Sequence, residues 1–316
     1  MKIIDAEATR HALPFDRLIP ALKAMFAAGC EVPLRHTHTL TAADGGQNTI
    51  LIMPAWQPGR YLGIKTVNIF PGNSSHGLPG LFSTYMLYDA TTGEPLAQID
   101  GNEITSRRTA AASALAASYL APPEARTLLV IGAGRVGSLL PHAYSAVLPI
   151  DKVQVWDRTA ASAVALVSRL QAQGIDASAA TDLQDAVASA DIVSCATLAT
   201  EPLVQGAWLR PGSHLDLIGS FTPAMREADD ACFNAGARLY VDTVEALQKS
   251  GELLGPMSRG VFKAGDVVGT LTDLVRSTAS GRQEETGRTV FKSVGTALED
   301  LAAAVLVFEQ TGRQII

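Results

Sequence analysis

The sequence predicts an α/β protein with a doubly wound parallel sheet domain and a second, mixed α+β domain. Three observations carry that expectation. Strand-like and helical segments alternate from Thr127 to Val241, the pattern that winds a parallel sheet with helices on both faces. A glycine-rich turn follows the first of those strands, in Thr127-Leu128-Leu129-Val130-Ile131-Gly132-Ala133-Gly134-Arg135-Val136-Gly137. Residues 1 to about 120 instead hold successive strand-like runs and end in an alanine-rich helix.

Composition narrows the class. A chain of 316 residues is long for one core and suits two domains. Hydrophobic residues at 47% and charged residues at 18% describe a packed globule. The net charge of −6, without a basic stripe, argues against nucleic acid. No apolar run reaches the ~20 residues that span a bilayer, and the acidic N-terminus does not read as a signal peptide. Cys30, Cys195 and Cys232 are odd in number and far apart. They suit buried thiols in a reducing cytoplasm, the expected location.

The elements follow in order. An early helix is expected over Phe15–Ala28, then strands at Thr49–Pro54, Tyr61–Phe70 and Gly80–Asp89. Ala90–Pro95 reads as a hairpin turn and Leu96–Asp100 as the returning strand. Asn102–Leu120 is alanine-rich and favours helix, with Thr105 as N-cap. Pro122-Pro123 stops it and marks a boundary, giving a first domain over 1–120 and a second over 121–290. In the second, strands are expected at Thr127–Gly132, Lys152–Asp157, Asp191–Ala196, Ser213–Ile218 and Arg238–Val241, with a helix at Ala160–Gln173. Phe291–Gln310 reads as one long amphipathic helix, within a terminal segment 291–316 expected to return to the first domain and make it discontinuous.

The glycine turn carries the first functional reading. Gly132, Gly134 and Gly137 have the spacing of a Rossmann-type dinucleotide-binding turn. The first permits the sharp turn, the second lets backbone approach a pyrophosphate, and the third lets the helix pack on the strand. That helix would offer N–H groups and a positive dipole end to phosphates. Asp157, 20 residues beyond Gly137, ends the next strand where a ribose-binding acid belongs. Cofactor choice stays open between NAD and NADP. Asp157 favours a free 2′-hydroxyl, whereas Arg158-Thr159 could grip a 2′-phosphate. Thr197, after a later strand, is expected beside the cofactor.

Several segments together resemble the ornithine cyclodeaminase and mu-crystallin family. They are Val32-Pro33-Leu34-Arg35-His36, Gly63-Ile64-Lys65-Thr66-Val67-Asn68, the stretch from Asp100 to Ala112 with Arg108-Thr109-Ala110-Ala111, the glycine turn, and Phe291-Lys292-Ser293-Val294-Gly295. The resemblance runs nearly end to end. It implies a homodimer, a first domain that binds substrate and dimerises, and a second that binds NAD(H) or NADP(H). It also implies that Arg35, Lys65 and Arg108 hold a substrate carboxylate beside the nicotinamide, with the Ser293–Gly295 loop nearby. Guanidinium groups pair with carboxylates through two parallel hydrogen bonds, which suits that task. Arg108 sits near the start of the alanine-rich helix, where the dipole also favours an anion. Lys65 lies between apolar neighbours, where a lysine needs a reason. It can protonate an imine nitrogen directly, orient a water, or act by charge alone.

The segment Gly219-Ser220-Phe221-Thr222-Pro223-Ala224-Met225 discriminates within the family. Members that cyclise ornithine resemble it but carry an aspartate where Phe221 stands and a lysine near Met225. Phenylalanine cannot pair with an ammonium, which disfavours cyclodeamination and suits an apolar ring. A core aromatic is the plainer alternative for Phe221. The resulting expectation is an NAD(P)H-dependent reductase of small cyclic imino acids. Its rivals are an ornithine cyclodeaminase, an alanine dehydrogenase and a non-catalytic NADPH-binding protein. No metal is expected, because His36 and His38 lack an evident third ligand. His76 reads as a solvated loop histidine, and Cys195 as a packed thiol.

Overall fold

The structure, a computed structural model, describes residues 1–42, 45–234, 236–284 and 286–312. The chain divides into two compact units, Met1–Arg108 joined by the chain from Thr296, and Thr109–Gly295.

The first unit opens with β1 (Lys2–Ile4), α1 (Ala6–Ala12) and α2 (Phe15–Ala28). Strands β2 (His36–Thr41), β3 (Gln47–Trp56), β4 (Tyr61–Ile69), β5 (Leu81–Asp89) and β6 (Pro95–Asp100) follow. They form a six-stranded sheet in the order β1-β6-β5-β4-β3-β2, antiparallel except where β1 pairs with β6. The hairpin between β5 and β6 turns where expected. Asp89 Oδ1 accepts from the Thr91 and Thr92 N–H groups, and Gly93 takes a positive φ of 76°.

Helix α3 (Gly101–Leu120) begins earlier than its expected cap. The Glu103 N–H donates to Asp100 Oδ1 at 2.7 Å, so Asp100 caps the helix and Thr105 lies within it. The unit boundary also differs from the expected 120/121, falling inside α3 between Arg108 and Thr109. Pro122-Pro123 ends the helix without ending a unit. From Ala110 onward most of α3 is buried, and Ser113 Oγ donates to Asp216 within the second unit.

The second unit contains β7 (Thr127–Ile131), α4 (Leu140–Ser145), β8 (Lys152–Trp156), α5 (Ala160–Ala172), β9 (Ala177–Ala179), α6 (Leu183–Ser189), β10 (Ile192–Cys195), β11 (His214–Leu217), β12 (Ala237–Val241), α7 (Ala246–Lys249), α8 (Gly251–Ser258), β13 (Gly269–Thr270), α9 (Leu271–Val275) and β14 (Arg288–Lys292). Its eight strands run parallel in the order β13-β12-β14-β11-β10-β7-β8-β9. Strand order reverses between β7 and β10, the point where doubly wound sheets leave a crevice at their carboxyl ends.

Two expected helices are corrected here. After the glycine turn the chain makes a tight 3₁₀ turn at Gly137–Leu139, then only the short α4. Pro141 is tolerated in the first turn of a helix but not in its interior, so regular helix starts at Leu140. Phe291 does not open the last helix either. Thr289-Val290-Phe291-Lys292 is fully buried in β14, between β11 and β12, where β-branched and aromatic residues fit. Gly295 then turns the chain at a φ of 77°, and the last helix, α10, covers Ala297–Gly312. It belongs to the first unit, packing on α1, α2, β3, β4 and β5. Among the described residues, no helix is long and apolar enough to cross a membrane.

Phe291→Ala should cost about 3–5 kcal/mol, because it empties a site in a central strand. Urea unfolding measures this; a loss below about 1 kcal/mol would place Phe291 on a helix end instead.

Candidate active site

In the first unit, β4 places Lys65 opposite Met53 of β3 and Tyr85 of β5. Directly paired residues share one sheet face, and α10 covers these three strands. Lys65 is 1% exposed, and its Nζ lies 2.6 Å from Asp300 Oδ2 on α10. Arg108 reaches the same carboxylate, with Nε 2.9 Å from Asp300 Oδ1, and donates through Nη1 to Glu299 Oε2 at 2.7 Å. Glu299 and Asp300 are completely buried. Arg108 sits two turns into α3, so the positive end of that helix adds little to the attraction of an anion held beside it. Its partners are the carboxylates of α10.

The electrostatics are those of a buried ion cluster. Burial lowers Lys65 to about 8, with Asp300 opposing that fall and Arg108 and Arg35 adding to it. Burial alone would raise Asp300, but Lys65 and Arg108 hold it below the ordinary carboxylate value. Arg35 is half-buried just before β2 and acts on Lys65 electrostatically. The structure thus brings together the three cations that the sequence singled out. Tyr85 is buried against the same cluster, and its Oη has no hydrogen-bond partner among the described residues. Gly63 makes room for it, since a Cβ there would lie 1.8 Å from that oxygen.

The second unit holds the turn. Gly132 has φ of 106°, and a Cβ on it would meet the Ala196 carbonyl oxygen at 2.7 Å. A Cβ on Gly137 would lie 1.9 Å from the Gly132 oxygen. Gly134 is different: no atom stands within 4 Å of its Cβ position, so protein packing does not require a glycine there. Exposed backbone beside open space fits a phosphate-bearing ligand. Asp157 accepts from the Ala133 N–H at 2.8 Å and from the Thr159 N–H, which ties the end of β8 to the turn. Arg135, Arg158 and Thr159 are exposed and Val136 half-buried around it.

Sequence reasoning missed a buried ionic network in this unit. Lys292 is fully buried and donates to the Leu217 oxygen. Burial lowers it, while Glu227, Glu252, Asp242 and Asp216 act against that fall. Each of three carboxylates holds loop backbone. Glu227 accepts from the Thr197 N–H and Oγ1 and from the Gly219 N–H. Glu252 accepts from the Glu227 and Ala228 N–H groups, and Asp242 from the Val294 and Gly295 N–H groups. Asp216 instead accepts from the hydroxyls of Ser113, Tyr144 and Ser194. Thr197, Ser293 and Gly295 are therefore fixed at the carboxyl ends of β10 and β14. The available signals were charges inside apolar strands, at Asp216 and Lys292, and Glu299-Asp300 on an apolar helix.

Phe221 is 45% exposed on the loop after β11, so it is not the core aromatic of the plainer reading. His76 is exposed. Cys195 is fully buried and its thiol is pushed far up by burial, as a packed thiol should be.

A glycine turn of this geometry at the switch point of a doubly wound sheet defines a Rossmann-type protein. The chain belongs to the ornithine cyclodeaminase/mu-crystallin family, whose sequence profile it matches over residues 6–314. It is 44% identical over 280 residues to a Δ1-pyrroline-2-carboxylate reductase of Paracoccus denitrificans, covering 86% of this chain and 88% of the relative. The Thermococcus litoralis Δ1-pyrroline-2-carboxylate reductase, solved with NADH and L-proline, superposes with a TM-score of 0.92 at 30% identity, covering 99% of this chain and 98% of that one. An archaeal alanine dehydrogenase dimer with bound NAD gives a TM-score of 0.91 at 29% identity, covering 100% and 97%.

Burial pushes Glu227 up from 4.5 to about 7, so the folded protein keeps that proton longer than the unfolded chain. Stability from this group should therefore decline as pH rises from 4.5 to about 7. Glu227→Gln should flatten that decline in urea midpoints measured against pH; an unchanged slope would assign the titration elsewhere.

Proposed function

We propose that the protein is an NAD(P)H-dependent reductase of small cyclic imino acids. Its substrates are Δ1-pyrroline-2-carboxylate and Δ1-piperideine-2-carboxylate, its products proline and pipecolate. The observation that carries this reading is the buried Lys65–Arg108–Asp300 cluster, which keeps a lysine near its point of titration beside guanidinium charge. The reductase relatives and the proline-bound neighbour support the substrate class.

Arg35 and Arg108 attract the substrate carboxylate, and Lys65 adds charge to that attraction. The turn at Gly132, Gly134, Arg135, Val136 and Gly137 would hold the pyrophosphate, and Asp157 with Arg158 and Thr159 the adenosine ribose. Thr197, Ser293 and Gly295 would border the nicotinamide. The nicotinamide, when bound there, would supply the hydride that the imine carbon takes up. Lys65 Nζ gives a proton to the imine nitrogen and regains one from solvent. Phe221 offers an apolar surface to the ring and no carboxylate for a distal ammonium, which separates this reading from ornithine cyclisation. With both Asp157 and Arg158 present, we expect turnover with NADH and with NADPH.

We further propose a cytoplasmic homodimer. Three free cysteines suit a reducing compartment. All six residues of the edge strand β2 are exposed, and Leu34, Leu40 and Phe82 of the same unit are exposed apolar residues, a surface that a second copy would cover.

The direct test is loss of NADH and NADPH absorbance with Δ1-pyrroline-2-carboxylate, against ornithine plus NAD and against pyruvate plus ammonia. Rapid oxidation with the imine alone is expected. Ammonia release from ornithine, or turnover only with pyruvate and ammonia, would replace this reading with a cyclodeaminase or an alanine dehydrogenase. Lys65→Met should lower kcat/KM by about 10²–10⁴-fold. The wild-type rate should fall as pH rises through about 8, where Lys65 loses its proton. Gly134→Ala should leave unfolding within about 0.5 kcal/mol of wild type but weaken NADH binding, measured by fluorescence titration. Unchanged affinity would put the pyrophosphate elsewhere.

A further inference from the structure

We propose that Asp300 is a positioning residue for the reaction, a single buried anion that keeps Lys65 protonated while binding Arg108 through its other oxygen. The proposal rests on the reductase reading for its catalytic meaning, while its electrostatics stand on the first unit alone.

Among the described residues, Lys65 has one ion-pair partner. Across the sheet it faces Met53 and Tyr85, an apolar group and a buried phenol. From α3 and from the segment before β2, Arg108 and Arg35 face it with like charge. From α10, Asp300 lies 2.6 Å away. Glu299, the other buried carboxylate of that helix, bonds Arg108 and is not among the largest influences on Lys65. Burial and two guanidinium groups all favour neutral Lys65, and Asp300 opposes all three. A lysine that had already lost its proton could not deliver one to an imine.

Asp300 also fixes direction. One oxygen meets Lys65 Nζ and the other meets Arg108 Nε at 2.9 Å, so two cations from β4 and α3 are held on one planar group. The aspartate is itself anchored by α10, whose neighbouring Glu299 takes a second nitrogen of the same guanidinium.

The test reads Lys65 directly. Full-length protein carrying [ε-¹³C]lysine is titrated by NMR without ligands, and the Lys65 signal is assigned with Lys65→Arg. Wild type should titrate near 8. Asp300→Asn should move that midpoint down by about one to three pH units. Glu299→Gln should leave it close to wild type. An unmoved midpoint in Asp300→Asn, or an equal fall in Glu299→Gln, would overturn the proposal. If Asp300→Asn does not fold, Asp300→Glu decides: it retains the anion, so Lys65 should stay charged at neutral pH, and a midpoint below neutrality would overturn the assignment.

The pH profile of kcat with Δ1-pyrroline-2-carboxylate supplies the functional arm. In Asp300→Asn the alkaline limb should move to lower pH by the same interval as the NMR midpoint. A limb that stays in place while the midpoint moves would contradict a positioning role. A midpoint that moves as expected, in a protein that reduces no imine, would reject the reductase reading and leave the electrostatic assignment standing.

Discussion

Three buried charges, on Lys65, Arg108 and Asp300, constrain how the first unit packs. Each would be costly alone, since removing one partner of a buried pair typically costs about 3–5 kcal/mol. Together they fix how α10 meets the sheet: Asp300 must lie over β4 at the height of Lys65, and Glu299 must reach α3. The apolar residues of α10 supply the burial, but they do not specify that register. The ion cluster does. The same contacts keep two cations buried and close together, which is how a small carboxylate would be attracted.

The second unit solves a related problem with opposite charge balance. The buried Lys292 stands among Asp216, Glu227, Asp242 and Glu252. These acids are satisfied chiefly by loop N–H groups and hydroxyls. Burial pushes Asp216 to about 6 and Glu227 to about 7, so part of the cluster is protonated at neutral pH. The network pins the loops that follow β10, β11 and β14, where a doubly wound sheet binds its ligand. The glycine turn needs those loops close, because Gly132 leaves no space for a side chain against Ala196.

Local chemistry made much of this legible in sequence. Helix α2 and the second-unit strands fall close to their expected positions because their apolar patterns and flanking turns are self-contained. The tight turn at Gly132 and the close packing at Gly137 follow from spacing, and Lys65 stood out as a charge in an apolar strand. What escaped depends on partners distant in the chain. Asp300 is 235 positions from Lys65, and its meaning appears only once α10 covers β4. Phe291 was misread because an apolar run that passes from strand through Gly295 into helix imitates one helical period. Pro122-Pro123 ended a helix whose second half was already committed to the other unit. Likewise the two carboxylates that hold Arg108, Glu299 and Asp300, stand 191 and 192 positions away in the chain.

The measurement that tests the central claim most directly follows the hydride. NADH or NADPH deuterated at C4 on the transferred face is turned over with Δ1-pyrroline-2-carboxylate, and the proline formed is analysed by mass spectrometry and NMR. The account predicts one deuterium, at the α-carbon, and no other label. Unlabelled proline, or proline that forms only from ornithine with release of ammonia, would contradict it.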